Sequence, residues 1–263
     1  MGGSYAGCCL ARRLMEEDSI RRRCTSMFSV TVLEVRSERE LCSTPGSLRL
    51  SRHGAEALGA LGLEAYDDAD ENGAAGRGRT SKRKLLRALV GSLRGVIAFD
   101  THVDGIQRAG DGKVVVTCSR CSGGDDRRGD STTTTTAVEY RFDAVVGADG
   151  LTSQSRGVVN DHGGNDTIPY FLIGDASRPF GRELCFGLAR SRYGASRAMQ
   201  ESLRLAQALT SVATRGETLT PDQPELAPFT LTTWRNKMLR NAVLLLGMAG
   251  FLILCLAYGG RAG

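Results

Sequence analysis

The stretch Asp143–Arg156, DAVVGADGLTSQSR, limits what this chain can fold into more than any other. A β-branched strand runs into Gly147-Ala148-Asp149-Gly150 and then into a polar turn. A buried strand that ends this way delivers the Asp149 carboxylate to the carboxyl edge of a sheet, and the flanking glycines let another backbone or a ligand approach closely. Open α/β sheets bind their ligands at that edge. A second apolar strand in Ile168–Phe180, IPYFLIGDASRPF, stops in the same manner on Gly174-Asp175-Ala176.

The amino-terminal residues supply a glycine loop opening a helix. Gly2, Ser4 and Gly7 stand at the three positions of a dinucleotide fingerprint, with Ser4 replacing the middle glycine, before the apolar run Cys8, Leu10, Ala11, Leu14. In such a loop the first residue makes the turn and the second lets the backbone reach a pyrophosphate. The helix start then offers amides and a positive dipole end to the phosphates. The fingerprint begins at Met1, so this reading expects an abbreviated start without the strand that would precede it. Alternating Val30 and Val32 form a short strand ending on Glu34, whose carboxylate can accept from ribose hydroxyls. A solvated strand-end glutamate is the plainer alternative. The charged insertion Glu16–Thr25, with Arg21-Arg22-Arg23, lengthens the connection between loop and acid beyond its usual reach.

A β pattern follows over Val96–Phe99, Thr101–Ile106 and Val114–Cys118, with Asp111-Gly112 as a hairpin signal. Cys121–Ala137, with its five consecutive threonines, reads as a low-complexity solvated loop inserted there.

Taken in order, these elements resemble the FAD-dependent monooxygenases of the aromatic-hydroxylase type, closest in flavour to membrane-associated hydroxylases and epoxidases. The resemblance spans most of Gly2–Leu209. It implies that FAD is the cofactor, with Gly2, Ser4 and Gly7 on the pyrophosphate, Glu34 on the ribose, and Asp149 supporting the cofactor from its strand edge. It also implies that TPGSLRLSRHGAEALGALGL, Thr44–Leu63, places Arg49 beside the flavin. In Arg79–Leu93 the family's arginine position holds Lys82, which keeps the charge but loses the planar fork; a basic solvated helix face is the other reading. Further implied contacts are a backbone group near Val103 on the adenine, Gly174 and Asp175 on the ribityl chain, and Gly194 with Ala195 at a helix start facing the isoalloxazine. Such enzymes use NAD(P)H and O2 to hydroxylate or epoxidise a lipophilic organic substrate. The family inserts a substrate domain between its second and third motifs, whereas here the run Asn160–Asp166 is merely rich in turn formers. The alternative is therefore a non-catalytic or truncated remnant of the family, and no catalytic residue is assigned.

Composition narrows the rest. A net charge of +5, with basic clusters lacking interleaved aromatics, argues against nucleic acid. The eight cysteines show only one C-x-x-C, Cys118 and Cys121, with no second pair at zinc spacing, so no metal site is expected. Asn241–Tyr258 carries no charge over a length near the minimum for a bilayer span, and Trp234, Arg235, Lys237 and Arg240 precede it. A buried core helix is the other reading of this run. The sequence thus leads to an α/β chain with a Rossmann-like FAD-binding fold, a central parallel sheet, an antiparallel β meander, a largely missing substrate domain and a C-terminal hydrophobic helix. Its expected divisions are 1–212 for FAD binding, with the loop 121–137 and a shortened substrate region 157–167, then a linker 213–233 and a transmembrane anchor 234–263. That anchor would hold the FAD domain on the cytosolic side of a membrane.

Overall fold

A computed structural model of the chain describes residues 5–21, 27–63, 67–69, 75–122, 134–149, 169–177 and 194–230, with 233, 236 and 239. Helix α1, Tyr5–Arg21, is followed by strand β1, Val32–Leu33, helix α2, Glu38–Cys42, strand β2, Ser47–Arg49, and helix α3, Arg52–Ala60. Strands β3, Asp67–Ala69, and β4, Ala75–Ser81, lead into helix α4, Lys82–Ser92. Strands β5, Ile97–Ala98, β6, Thr101–Arg108, β7, Val114–Ser122, and β8, Thr134–Phe142, come next. The last elements are β9, Val145–Gly147, β10, Tyr170–Leu172, a 3-10 turn at Gly174–Ser177, helix α5, Gly194–Thr214, and a 3-10 turn at Ala227–Phe229.

Three layers result. The middle layer holds two parallel pairs, β1 with β5 and β9 with β10. The meander β6-β7-β8 covers one face, where Leu33, Val145 and Tyr170 pack among Ile106, Val114 and Val116. Helices α1 and α5 cover the other, where Leu10 and Leu14 meet Phe171, Leu205 and Leu209. Strand residues alternate between these layers because successive side chains point to opposite faces. A separate antiparallel sheet, β2-β4-β3, lies beside α3 and α4. Helix α4 buries Leu85, Leu86, Leu89 and Val90, an i, i+1, i+4, i+5 stripe, and Ser81 caps its start by accepting from the Lys84 amide.

The mixed α/β class agrees with the expectation, and three of its details do not. The anticipated central parallel sheet is divided, among the described strands, into two separate pairs. The stretch assigned to a solvated loop is partly strand, because β7 and β8 stay in register out to Ser122 opposite Thr134. Threonine suits that ladder, since its β-branched side chain favours the pleated backbone despite the low-complexity sequence. The supposed linker 213–233 is packed onto the core: Leu226 is fully buried in the α1–α5 cluster and Thr230 forms an antiparallel bridge with Phe171. Among the described residues no helix is long and apolar enough to cross a membrane, and Asn241–Tyr258 lies outside them.

Phe171 is fully buried where the parallel pair meets the helical layer. Truncation to alanine should cost about 3–5 kcal/mol of folding free energy. Urea unfolding followed by far-UV circular dichroism would report this as a lower midpoint at unchanged slope.

Candidate functional site

The carboxyl ends of the parallel strands gather at the start of α1. Strand β10 runs into Gly174, whose φ of +64° is in the left-handed region that glycine adopts without strain. A Cβ on Gly174 would lie 3.4 Å from the Ala6 Cβ and 3.2 Å from that of Ala198. The turn of the third motif therefore touches the amino-terminal helix and the first turns of α5 together. Glu201 of α5 completes this junction by accepting the Gly174 amide proton at 2.8 Å and the Ser177 hydroxyl at 3.3 Å. Arg197, one turn earlier, lies 3.4 Å from the same carboxylate. The Ser202 hydroxyl sits 2.8 Å from the carbonyls of both Ala6 and Ala198, donating to one at a time and tying α1 to α5.

Glu34 follows β1 and is pinned by its backbone, which donates to Ala98 O at 3.0 Å and accepts from Thr101 N at 3.0 Å. Its side chain is only 2% exposed. A carboxylate buried so deeply needs a charge partner. Arg36 provides it: the Arg36 amide donates to Oε1 at 3.0 Å, Nε to Oε1 at 2.7 Å, and Nη2 to Oε2 at 3.3 Å. The hydrogen bond that the guanidinium donates to Glu34 raises the Arg36 pKa further. Burial, with Glu34 as the next cause, pushes the Cys8 thiol up to about 12. Burial likewise raises the Tyr5 phenol, against the opposing charge of Arg36. The Tyr5 hydroxyl is buried and has no hydrogen-bond partner among the described residues.

The Thr44–Leu63 stretch reaches α5 from another side. Ser51 caps α3 by accepting from the Gly54 amide at 3.2 Å, and its own amide donates to the buried Ser196 hydroxyl at 3.0 Å. Gly54 permits this contact, because a Cβ there would lie 2.6 Å from the Ser196 Cβ. Arg49 is exposed on β2, opposite Arg79 of β4. Lys82 opens α4, donates its amide to Gly46 O at 3.0 Å and runs its side chain along that glycine. Val103 lies on β6 and packs on the cluster that contains Leu33 and Ala176. Asp149 is half-buried just beyond β9, and Gly7 in α1 lines a cavity between β1 and β9. Gly194 and Ala195 form the first turn of α5, with Ala195 against the α1–α4 cluster. Gly2 and Ser4 lie outside the described residues, as does the Asp175 side chain.

The structure thus brings Glu34, Gly174 and the starts of α1 and α5 together, and it leaves Arg49 on the neighbouring antiparallel sheet and Lys82 at the start of α4 beside it. Sequence reasoning missed Arg36, Ser196 and the capping role of Glu201. The spacing of Arg197 and Glu201 on one helix face was the available signal for the last. Asp104 of the meander accepts from Ser119 and also binds His102 Nδ1 at 2.9 Å. Serine and histidine both bind the carboxylate there rather than each other, so they form no proton relay. Among the described residues no cluster could hold a metal ion.

No protein-family model and no curated protein matches the chain. The solved structures to which it is similar include FAD-dependent monooxygenases. PqsL, a probable FAD-dependent monooxygenase from Pseudomonas aeruginosa, is 21% identical over 64% of this chain and 46% of its own, with a TM-score of 0.38. A four-substitution variant of PqsL aligns over 83% of this chain and 87% of its own at 14% identity and a TM-score of 0.48. The tetracycline destructase Tet(51) is 18% identical over 60% of this chain and 39% of its own, at a TM-score of 0.41. The chain therefore spans less than half the length of PqsL and Tet(51) as matched in the first and third of these.

Two outcomes follow from the geometry. Gly54→Ala should lose about 1–3 kcal/mol, since Ser196 must move to admit the methyl group, and denaturant unfolding measures the loss. The raised Cys8 thiol stays protonated in the folded state while an unfolded one ionises near its ordinary value of 9.0. Its contribution is therefore complete below pH 9.0 and is lost as pH rises toward about 12. Urea midpoints should fall across that window, and less steeply in Cys8→Ala.

Proposed function

We propose that the chain binds FAD at the carboxyl ends of β1, β9 and β10 and acts as a flavin-dependent oxidoreductase of the monooxygenase type. The observation carrying this reading is the seat of Gly174 against Ala6 and Ala198, which joins three motifs far apart in sequence at one sheet edge. The local chemistry fits the group. A buried strand-end carboxylate stands beside the start of α1, and the buried Tyr5 hydroxyl, without a partner among the described residues, is a polar atom that a bound ligand would satisfy.

Within this reading Glu34 accepts from the ribose hydroxyls while Arg36 holds its carboxylate in place. Gly2, Ser4 and Gly7 admit the pyrophosphate to the start of α1, where backbone amides and the helix dipole favour negative charge. Asp149, Gly174 and Asp175 serve the ribityl side, Gly194 and Ala195 the isoalloxazine, Val103 the adenine, and Arg49 with Lys82 the outer flavin face. FAD when bound supplies two-electron redox chemistry, with NAD(P)H as reductant and O2 as oxidant; the protein supplies position and exclusion of water. The substrate would be a small lipophilic compound, and Asn241–Tyr258 would hold the protein to a membrane with the FAD domain facing the cytosol.

A second reading, a cofactor-binding remnant without oxygenation, is favoured by one observation. Strands β9 and β10 pair directly in parallel with only residues 148–169 between them. That connection is too short for a second domain over the flavin.

The purified 263-residue chain should carry or take up FAD, seen as visible flavin absorbance and quenched flavin fluorescence. Glu34→Gln should weaken FAD by roughly tenfold or more, as expected for hydrogen bonds to a charged acceptor. Protein that stays colourless and binds no added FAD would refute the proposal. Oxidation of NAD(P)H coupled only to peroxide, across a panel of lipophilic compounds, would decide for the remnant.

A further inference from the structure

Strand β8 is the outer strand of the meander, and no described strand pairs with its free edge. Two hydrogen bonds settle which peptide groups lie on that edge. Ala109 N donates to Lys113 O at 2.8 Å, closing the β6–β7 hairpin, and Thr101 N donates away from β7, to Glu34 O at 3.0 Å. Bonding directions alternate along an antiparallel ladder, so Val115 and Thr117 of β7 face β6 while Val116 and Cys118 face β8. The latter two stand opposite Tyr140 and Val138. The N–H and C=O groups of Thr135, Ala137, Glu139 and Arg141 therefore point outward.

This edge lacks the devices that keep sheet edges from pairing, which are lysine, proline, a bulge or shortness. The opposite outer strand of the meander, β6, has such a device, a shift in register between Val103 and Gly105. Strand β8 runs for nine residues, TTTAVEYRF, with neither lysine nor proline, and its register with β7 is unbroken. Threonine and valine favour a paired, pleated backbone. Its two charges, Glu139 and Arg141, are exposed and already bonded to each other, Nε to Oε1 at 3.4 Å. The edge is thus electrically neutral.

We infer that β8 is an interaction edge whose partner is the β8 of a second copy of this chain, paired antiparallel about a two-fold axis at Val138. Such an interface is isologous, so the strand must complement itself. Outward peptide groups must also meet outward ones, which restricts the axis to a few residues. An axis at Glu139 sets that carboxylate against its own copy, and like charges directly opposite repel. An axis at Tyr140 leaves only the carboxyl-terminal half of β8 overlapping. The axis at Val138 pairs all nine residues. It sets Ala137 opposite the second copy's Glu139 and Thr135 opposite its Arg141, so no charge meets its like. The two meanders then join into one continuous sheet, and the threonine run forms part of the seam.

The test compares the 263-residue chain with three substitutions at Ala137, in one non-ionic detergent and without flavin. Sedimentation velocity over roughly 1–300 µM protein should show a reversible monomer–dimer equilibrium. Hydrogen exchange at the Ala137, Glu139 and Arg141 amides should slow by about tenfold or more from the dilute to the concentrated end. The Val138 amide, bonded within the meander, should exchange slowly at both ends. Ala137→Pro removes an outward donor and none from the meander, a change that edge strands tolerate. It should keep the circular dichroism and weaken the dimer by about tenfold or more. Ala137→Lys, opposite the second copy's Glu139, should tighten the dimer about threefold at low salt, and Ala137→Glu should loosen it by as much, each change acting twice across the axis. A chain that stays monomeric at the highest concentration would overturn the inference. So would equal affinity in all four proteins, masses that grow past the dimer, or slow Glu139 exchange already at the dilute end, which would mean that the chain covers its own edge. Failure to bind FAD is a separate result.

Discussion

Everything at the candidate site depends on how little side-chain volume stands where α5 crosses its neighbours. A Cβ on Gly174 would press on both Ala6 and Ala198, and Gly54 admits Ser196 at a separation that no Cβ would allow. These contacts bring backbone against backbone, and the polar groups exposed by such closeness are satisfied locally by Ser196, Ser202 and Glu201. Larger residues at these crossings would drive α1, α3 and the turn after β10 apart. The strand ends would then no longer converge.

The middle layer follows a second constraint. A parallel strand buried on both faces needs a neighbour on each edge, because buried peptide groups left unpaired cost free energy comparable to a lost hydrogen bond. Strand β10 meets this requirement through β9 on one edge and the bridge to Thr230 on the other. Strand β1 meets it only toward β5 among the described strands.

Much of this was legible in the sequence where local pattern and global role coincide. Val145–Gly147 and Tyr170–Leu172 read as buried strands ending on glycine because nothing in their surroundings competes with that pattern. The helix within Arg79–Leu93 was legible in the leucine stripe that α4 buries. The threonine run failed because low complexity was read as solvation, while pairing with β7 decided its conformation. The region 213–233 failed because prolines and threonines signal a loop but say nothing about the loop docking, as Leu226 does. Arg36 escaped notice for a related reason. Its pairing with a glutamate two residues away follows from the burial of Glu34, which only the tertiary structure reveals.

The hydrogen bond from Ser202 to Ala6 joins residues 196 positions apart. During synthesis at roughly 5–20 residues per second, that interval lasts on the order of ten to forty seconds. Throughout it, the apolar side of α1 that will meet α5 has no α5 to cover it. The nascent chain therefore carries an open sticky face on α1 until α5 has been made, and the site closes only then. A cell making this protein would have to shield that face throughout the interval between the two helices.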